Sequence, residues 1–524
     1  MSIMSEHTLS EVPTRKDELP PDLLALRTSN AEKGVNIIAQ TPSRPYSYRE
    51  DETVYDRFTP GRKRIITAIV SFAGLGINLA SLLVLSALPE VAAAFNTTGT
   101  VINFTNALFL LMMGIGVLFW GPLSQVYGRK WLQSALNRPI WHISRPTLEL
   151  NVLDLRHIDS VVLHVFTGYS GFPQSASFLH LPDIYRPTER GTALGWFLGG
   201  TLIGPALGPF IGGVIVTYST WKSLFWFQGA LGGAAMVLAV AFLPETSHGK
   251  WSEELEGMTT KEKISQIWEW ANPFRVISLF RYPKILIVNN GRPSGCVATA
   301  YGGKALHQCG VAASSVLWNM QVLLTPVRYV INPRFHLTSP LQSGFFFLAP
   351  GAGYLVGTFF GGRYADYTVK KWIAKRGRRI PEDRLRSAFI ALGVVIPATT
   401  IIYGWAIDKA KGGIPLPVIC MFLQGVAQMV CFPCLNSYCL DVFRERAAEV
   451  MAGNYFIRYT FAAIGTAVVL PGIQGIGVGW FSTVSALFVA ISSAAVCGIV
   501  IFGTRQKNRE EKSERAQAHG IAGV

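Results

Sequence analysis

The chain has 524 residues, of which 50% are hydrophobic and only 15% charged, with 51 glycines, 31 phenylalanines and a mean hydropathy of +0.31. This composition excludes an ordinary soluble enzyme and fits a protein that crosses a membrane many times. The formal charge of +15 does not indicate nucleic acid, because the basic residues lie between apolar runs and no nucleic-acid-binding signature interrupts those runs.

In chain order, residues 1–64 carry mixed charge, Pro and Ser without the apolar core of a signal peptide, and are expected to form a disordered cytosolic tail. A helix needs about 20 apolar residues to cross a bilayer. An N-terminal helical half over 65–244 offers such runs at 65–88, 101–121, 191–217 and 223–243, and a weaker one at 158–180. A polar cytosolic linker is expected at 245–284. A second half over 285–503 offers runs at 311–331, 341–362, 386–407, 414–439, 449–471 and 478–503, and a basic cytosolic tail closes the chain at 504–524. Two cytosolic tails require an even number of spans. Charge supports this orientation: Arg129 and Lys130 follow the second run and Lys and Arg crowd 363–386, whereas Pro89 to Thr100 is nearly free of them.

Within the run at 191–217, Gly200, Gly204, Gly208 and Gly212 recur at i+4 spacing, a glycine stripe down one helix face, interleaved with Pro205 and Pro209. In water each glycine costs about 1 kcal/mol relative to alanine, and the prolines would break the hydrogen-bond ladder. In hydrocarbon the backbone cannot abandon its hydrogen bonds, and small residues admit a neighbouring helix at close range.

Two internal matches suggest a duplication in parallel orientation. Gly121-Pro-Leu-Ser-Gln125 pairs with Gly362-Arg-Tyr-Ala-Asp366, and Asp183-Ile-Tyr-Arg186 pairs with Asp441-Val-Phe-Arg444. With Gly121 to Lys130, Asp183 to Gly191, Gly195 to Gly213 and Pro244-Glu-Thr246, residues 55–503 resemble the major facilitator superfamily, in its fungal drug:proton antiporter branch with twelve spans. The resemblance implies an all-α integral membrane fold of two six-helix halves related by a pseudo-two-fold axis along the membrane normal. It also implies that the glycine helix and its partner seal the extracellular end between the halves, a pattern typical of exporters. Gly121 and Gly128 are expected to form a tight turn, with Arg129 placing charge at the membrane face. Gln125 departs from the family's acidic residue, while Asp366 keeps it in the second copy. The alternatives are that these charges only fix topology and that the stripe only packs helices.

Ionisable groups inside spans are functional candidates. Arg458 lies about nine residues into its run, among Asn454, Tyr455 and Tyr459; a structural bond to backbone carbonyls is the alternative. His164 stands where the resemblance expects a proton-coupling arginine, and a neutral buried histidine is the alternative. Trp318, Asn319, Gln424, Gln428 and Asn436, with Trp196, Tyr403, Trp405 and Phe432, are candidate walls and polar anchors of a central cavity. Cys431 and Cys434 have metal-like spacing inside an apolar run, without a second ligand pair, so no metal or cofactor is expected. No phosphate-binding Gly-Lys-Ser/Thr loop occurs, so an ion gradient must supply the drive.

These features lead to a monomeric, proton-coupled exporter of small amphipathic molecules in the lipid bilayer, the plasma membrane rather than the vacuole, and not an enzyme. The alternatives are a nutrient uniporter or symporter on the same fold and a non-transporting product.

Two stretches break the pattern. A third span is expected near 131–150, yet 132–157 carries prolines and charges, each charge costing about 2.5–3.5 kcal/mol at mid-helix. Residues 290–310 likewise interrupt the start of what resembles the family's seventh span, splitting Ile285–Val288 from Ser315–Trp318. Both resemble translated intron or shifted-frame sequence. Sequencing the transcript is expected to show a discontinuity at each; uninterrupted messages encoding 132–157 and 290–310 would overturn this reading.

Overall fold

A computed structural model describes residues 52–94, 96–128, 203–246, 257–271, 294–337, 339–377, 380–442 and 447–521, with Lys130 and single positions between 180 and 201. Every regular element among these residues is helical. Eight helical segments are long and apolar enough to cross a membrane. The stretch 132–157 and the weak run at 158–180 apart from its last residue, with His164, lie outside the described residues.

Helix α1 (Pro60–Leu83) starts on a proline, whose missing N–H is unneeded in a first turn. A 3-10 turn at Val84–Ala87 links it to the short α2 (Leu88–Ala94). Helix α3 (Gly99–Tyr127) carries the second predicted run. Gly121 lies inside α3, six positions before its last residue, so the expected turn is made by Gly128 alone, at φ 89°. Helices α4 (Gly204–Tyr218) and α5 (Lys222–Phe242) follow, joined by a short turn. Single helical positions at 199–201 precede α4, and both Pro205 and Pro209 sit within it.

The linker contains an amphipathic helix, α6 (Thr260–Ala271), opened by a reciprocal cap. The Thr259 N–H and hydroxyl both donate to Glu262, at 2.9 Å each, and hold its carboxyl below the usual range.

Helix α7 (Ser294–Leu324) is continuous, so the described part of the 290–310 interruption is helical. A π-turn at Val327–Ile331 ends this region. Helix α8 (Pro340–Arg376) begins on a capping box between Ser339 and Gln342 and runs well past its predicted end at 362. It stops where Gly377 adopts φ 74° and donates its N–H to Ile373. The basic stretch expected as a loop, with Asp366, is therefore on the helix up to Arg376. A span follows as α9 (Asp383–Ile390) and α10 (Ile396–Asp408), joined by a π-turn. Helix α11 is Pro415–Val442. The long α12 (Ala447–Ile521) breaks at Gly477, between the two runs expected at 449–471 and 478–503.

Small residues set the packing. The stripe on α4 lies against α1: a Cβ on Gly204 would stand 2.8 Å from Asn78 Cβ, and one on Gly208 2.7 Å from the Leu79 carbonyl oxygen. Gly212 meets Ser86 and Leu83, and Gly200 meets Ser71. A second ladder, Gly353, Gly357 and Gly361 on α8, receives α11 at Val426 and Met429. Away from these seams the helices expose Phe242, Phe359, Phe360, Val394, Trp480 and Ile491, the apolar outer surface a bilayer requires.

Gly208→Val is expected to destabilise the purified protein by about 1–3 kcal/mol, because its side chain meets backbone that cannot rotate away. Gly362→Ala, with open space at its Cβ position, serves as control and is expected to be neutral. Equal thermal unfolding of both variants would contradict the seam.

Candidate functional site

The stripe faces α1, in the same predicted half, and a different face of α4 meets the other half. Gly351 of α8 abuts Ala206, a Cβ on Gly344 would lie 3.2 Å from Phe210 Cα, and one on Gly213 would lie 2.7 Å from the Pro340 carbonyl oxygen. The Leu341 N–H donates to the Thr217 hydroxyl at 3.2 Å, and the Phe210 and Phe345 rings are 5.5 Å apart. The seam between α4 and α8 is thus lined by small residues on both sides. The sequence showed only the stripe; Ala206 and Gly213 escape that pattern because they fall off its i+4 register.

At the end of the bundle where α8 begins, Glu90 of α2 pairs with Arg328. Arg328 is 5% exposed and Glu90 32%, and Arg328 also donates to the Ser343 hydroxyl at 3.2 Å. The pair joins the α1–α3 connection to the end of the seventh run. A single acid in a stretch nearly free of Lys and Arg was the available signal. At the opposite end of α8, Asp383 is fully buried between Arg376 and Arg386, and the Arg386 guanidinium lies 4.0 Å from the Trp372 ring centroid. Asp366 is exposed and makes no ion pair among the described residues. Arg129 and the side chain of Gln125 lie outside the described set.

The interior polar residues divide into separate groups. Asn454 donates to the Asn436 Oδ1 at 3.0 Å, linking α12 to α11. One turn further along each helix, the Arg458 guanidinium sits 4.3 Å from the Phe432 ring centroid and 4.9 Å from that of Tyr455. Tyr455 stacks on Tyr459 at 6.1 Å, and both join the apolar cluster with Phe109 and Met113 of α3. The remaining candidates hold helices together elsewhere. The Trp318 indole donates to the Ser485 hydroxyl at 3.0 Å, and Asn319 donates to the Ser315 and Ser485 carbonyls at 3.1 Å. Gln424 accepts from Thr400 at 3.2 Å, and Gln428 donates to the Val316 carbonyl at 3.3 Å. Tyr403 is buried and donates to Leu323, Trp405 packs on Trp480, and Trp196 is exposed. Cys434 contacts the Ser387 hydroxyl, and no metal-binding group occurs among the described residues.

Apolar helices around buried amides and an internal guanidinium define a multi-pass membrane protein with a polar interior, the class that carries small molecules across bilayers. Residues 65–466 match the Major Facilitator Superfamily, and the chain belongs to that family. It is 27% identical over 525 residues to Dityrosine transporter 1 of Saccharomyces cerevisiae, covering 94% of this chain and 89% of that one. Multidrug transporter DTR1 of Candida glabrata is 26% identical over 460 residues, 81% of this chain and 82% of its own. The structure of the human organic anion transporter MFSD10 has the same fold, with a TM-score of 0.60 and 16% identity, across 84% of this chain and 100% of that chain. The all-α major facilitator fold expected from the sequence is therefore this chain's fold, and the protein is a membrane transporter of small molecules, not an enzyme.

Glu90→Gln leaves Arg328 without its charge partner and is expected to cost about 1–3 kcal/mol, toward the lower value because Glu90 is partly solvated. Exchanging the pair, Glu90→Arg with Arg328→Glu, is expected to recover part of that loss in thermal unfolding. Wild-type unfolding of Glu90→Gln would show that the pair does not hold this end closed.

Proposed function

We propose that the protein exports small amphipathic molecules in exchange for protons, by rocking two helical halves about a central site. The observation that carries the reading is α4, which presents small residues to α1 on one face and to α8 on another. The first contact makes α4 rigid with its own half, and the second leaves a shallow seam along which the halves can separate. The Glu90–Arg328 pair closes one end of that seam in this state, and alternating access requires the pair to part when the other end closes. The names of the two fungal relatives, one a multidrug and one a dityrosine transporter, support transport of such compounds. His164 and Arg458 are the proposed proton or substrate groups. Gly121, Gly128, Arg129 and Asp366 belong to the proposed gating apparatus. A monomer in the plasma membrane with both termini cytosolic completes the proposal.

Proteoliposomes holding the full chain and an amphipathic fluorescent dye test the direction. Under an imposed pH gradient, dye is expected to accumulate against the proton flow. Accumulation in the same direction as protons would replace the exporter by a symporter. No dye movement from a well-folded preparation would support a non-transporting product.

A further inference from the structure

The groups around Arg458 point to the chemistry of the transported molecule. Among the described residues its guanidinium has no carboxylate partner: Asp383 and Glu449 stand near helix starts, Asp366 is exposed on the last third of α8, and Arg458 is the one Lys, Arg, Asp or Glu in the middle of α11 or α12's first arm. The side chain is 7% exposed, and its Nε finds no acceptor. One turn away, Asn436 is 3% exposed; its Oδ1 accepts from Asn454, and its Nδ2 has no acceptor among the described residues. Two buried donors on neighbouring helices therefore lack the same thing. The Asn454 Oδ1, also buried, lacks a donor. The walls are aromatic: Phe432 lies under the guanidinium and Tyr455 beside it, with Tyr459 stacked on Tyr455.

A buried cation without a counter-charge is costly, and buried polar atoms without partners are the exception in folded proteins. Cation–π contact with two rings and a hydrogen bond to the Tyr455 hydroxyl offset part of that cost, but they leave Nε without an acceptor. A planar carboxylate does: it takes two parallel bonds from a guanidinium fork, and the adjoining amide can donate to the same group. The single acceptor left on Asn454 suits one hydroxyl or amide N–H of the same ligand.

We infer that Arg458, Asn436 and Asn454 form an anion subsite, and that the transported molecule is an aromatic carboxylic acid bearing a further hydrogen-bond donor. The inference deepens the transport reading, and rests on it for the statement that the bound acid is cargo. The binding itself is testable without transport.

The probes are 1-naphthylacetate and its amide, 1-naphthylacetamide, matched in shape and differing in charge, titrated by fluorescence against the full-length protein in lipid nanodiscs. Wild type is expected to bind the carboxylate at least tenfold more tightly than the amide. Arg458→Gln is expected to bring that ratio to about one, chiefly by weakening the carboxylate, and thermal unfolding like that of wild type shows that the variant is folded. Arg458→Lys, keeping the charge but not the fork, is expected to retain an intermediate preference. Equal affinity of wild type for both probes, a preference that survives Arg458→Gln, or no binding of either probe would overturn the inference. Should the carboxylate preference hold while the proteoliposome experiment shows no dye movement, the anion subsite stands and the export reading falls. Dye export with equal binding of both probes would leave export standing and remove the anion subsite.

Discussion

Helix backbones in this protein approach one another without side chains between them, and the rest of the architecture follows from that contact. In hydrocarbon, association gains little from apolar burial, so dispersion between closely fitted surfaces must do the holding. The Gly208 position, 2.7 Å from a carbonyl oxygen of α1 once a Cβ is imagined there, shows how little room remains. Because α4 is locked to α1 in this way, its second face is free to act as a bearing surface against α8. The same device recurs where α8 meets α11, so each wall of the α4–α8 seam is backed by a glycine ladder. A seam of this kind separates without pulling large side chains from holes.

Charge is kept at the two ends of the bundle and almost excluded from its middle. Glu90 with Arg328 occupies one end, and Asp383 with Arg376 and Arg386 the other. Both groups fix helix ends, and each buried member is held by an opposite charge. Arg458 stands apart from this arrangement. Its neighbours are rings and amides, which hold a cation in place while leaving its hydrogen-bonding capacity partly unused.

Much of the fold was legible in the sequence, because an apolar run of about twenty residues bordered by basic loops suits a bilayer and little else. The break between 449–471 and 478–503 falls at Gly477, and the stripe on α4 is read directly from its spacing. Helix ends were harder. Apolar runs mark where a helix meets lipid, not where its hydrogen bonds stop, so the extension of α8 to Arg376 and the helical setting of Gly121 were missed. The site was legible only in part. Asn436, Asn454 and Arg458 come together, but Trp318, Asn319, Gln424 and Gln428 bind neighbouring helices, and residue type alone does not separate an amide that ties two helices from one that faces a ligand. Glu90 and Arg328 are 238 positions apart, and no local pattern announces a pair at that separation.

The length of α8 carries a mechanical consequence. Its 37 residues extend roughly 55 Å at about 1.5 Å per residue, against a hydrocarbon core of about 30 Å. The helix is therefore a rod that meets α4 near its start, at Gly344 and Gly351, and carries α11 and the Trp372 cluster along the rest of its length. A tilt too small to disturb the packing at Gly344 and Gly351 sweeps its far end through several times the displacement. Under the proposed rocking of the halves, the opening for a passing molecule lies far from the contact that permits it, produced by leverage rather than by deformation of the helix.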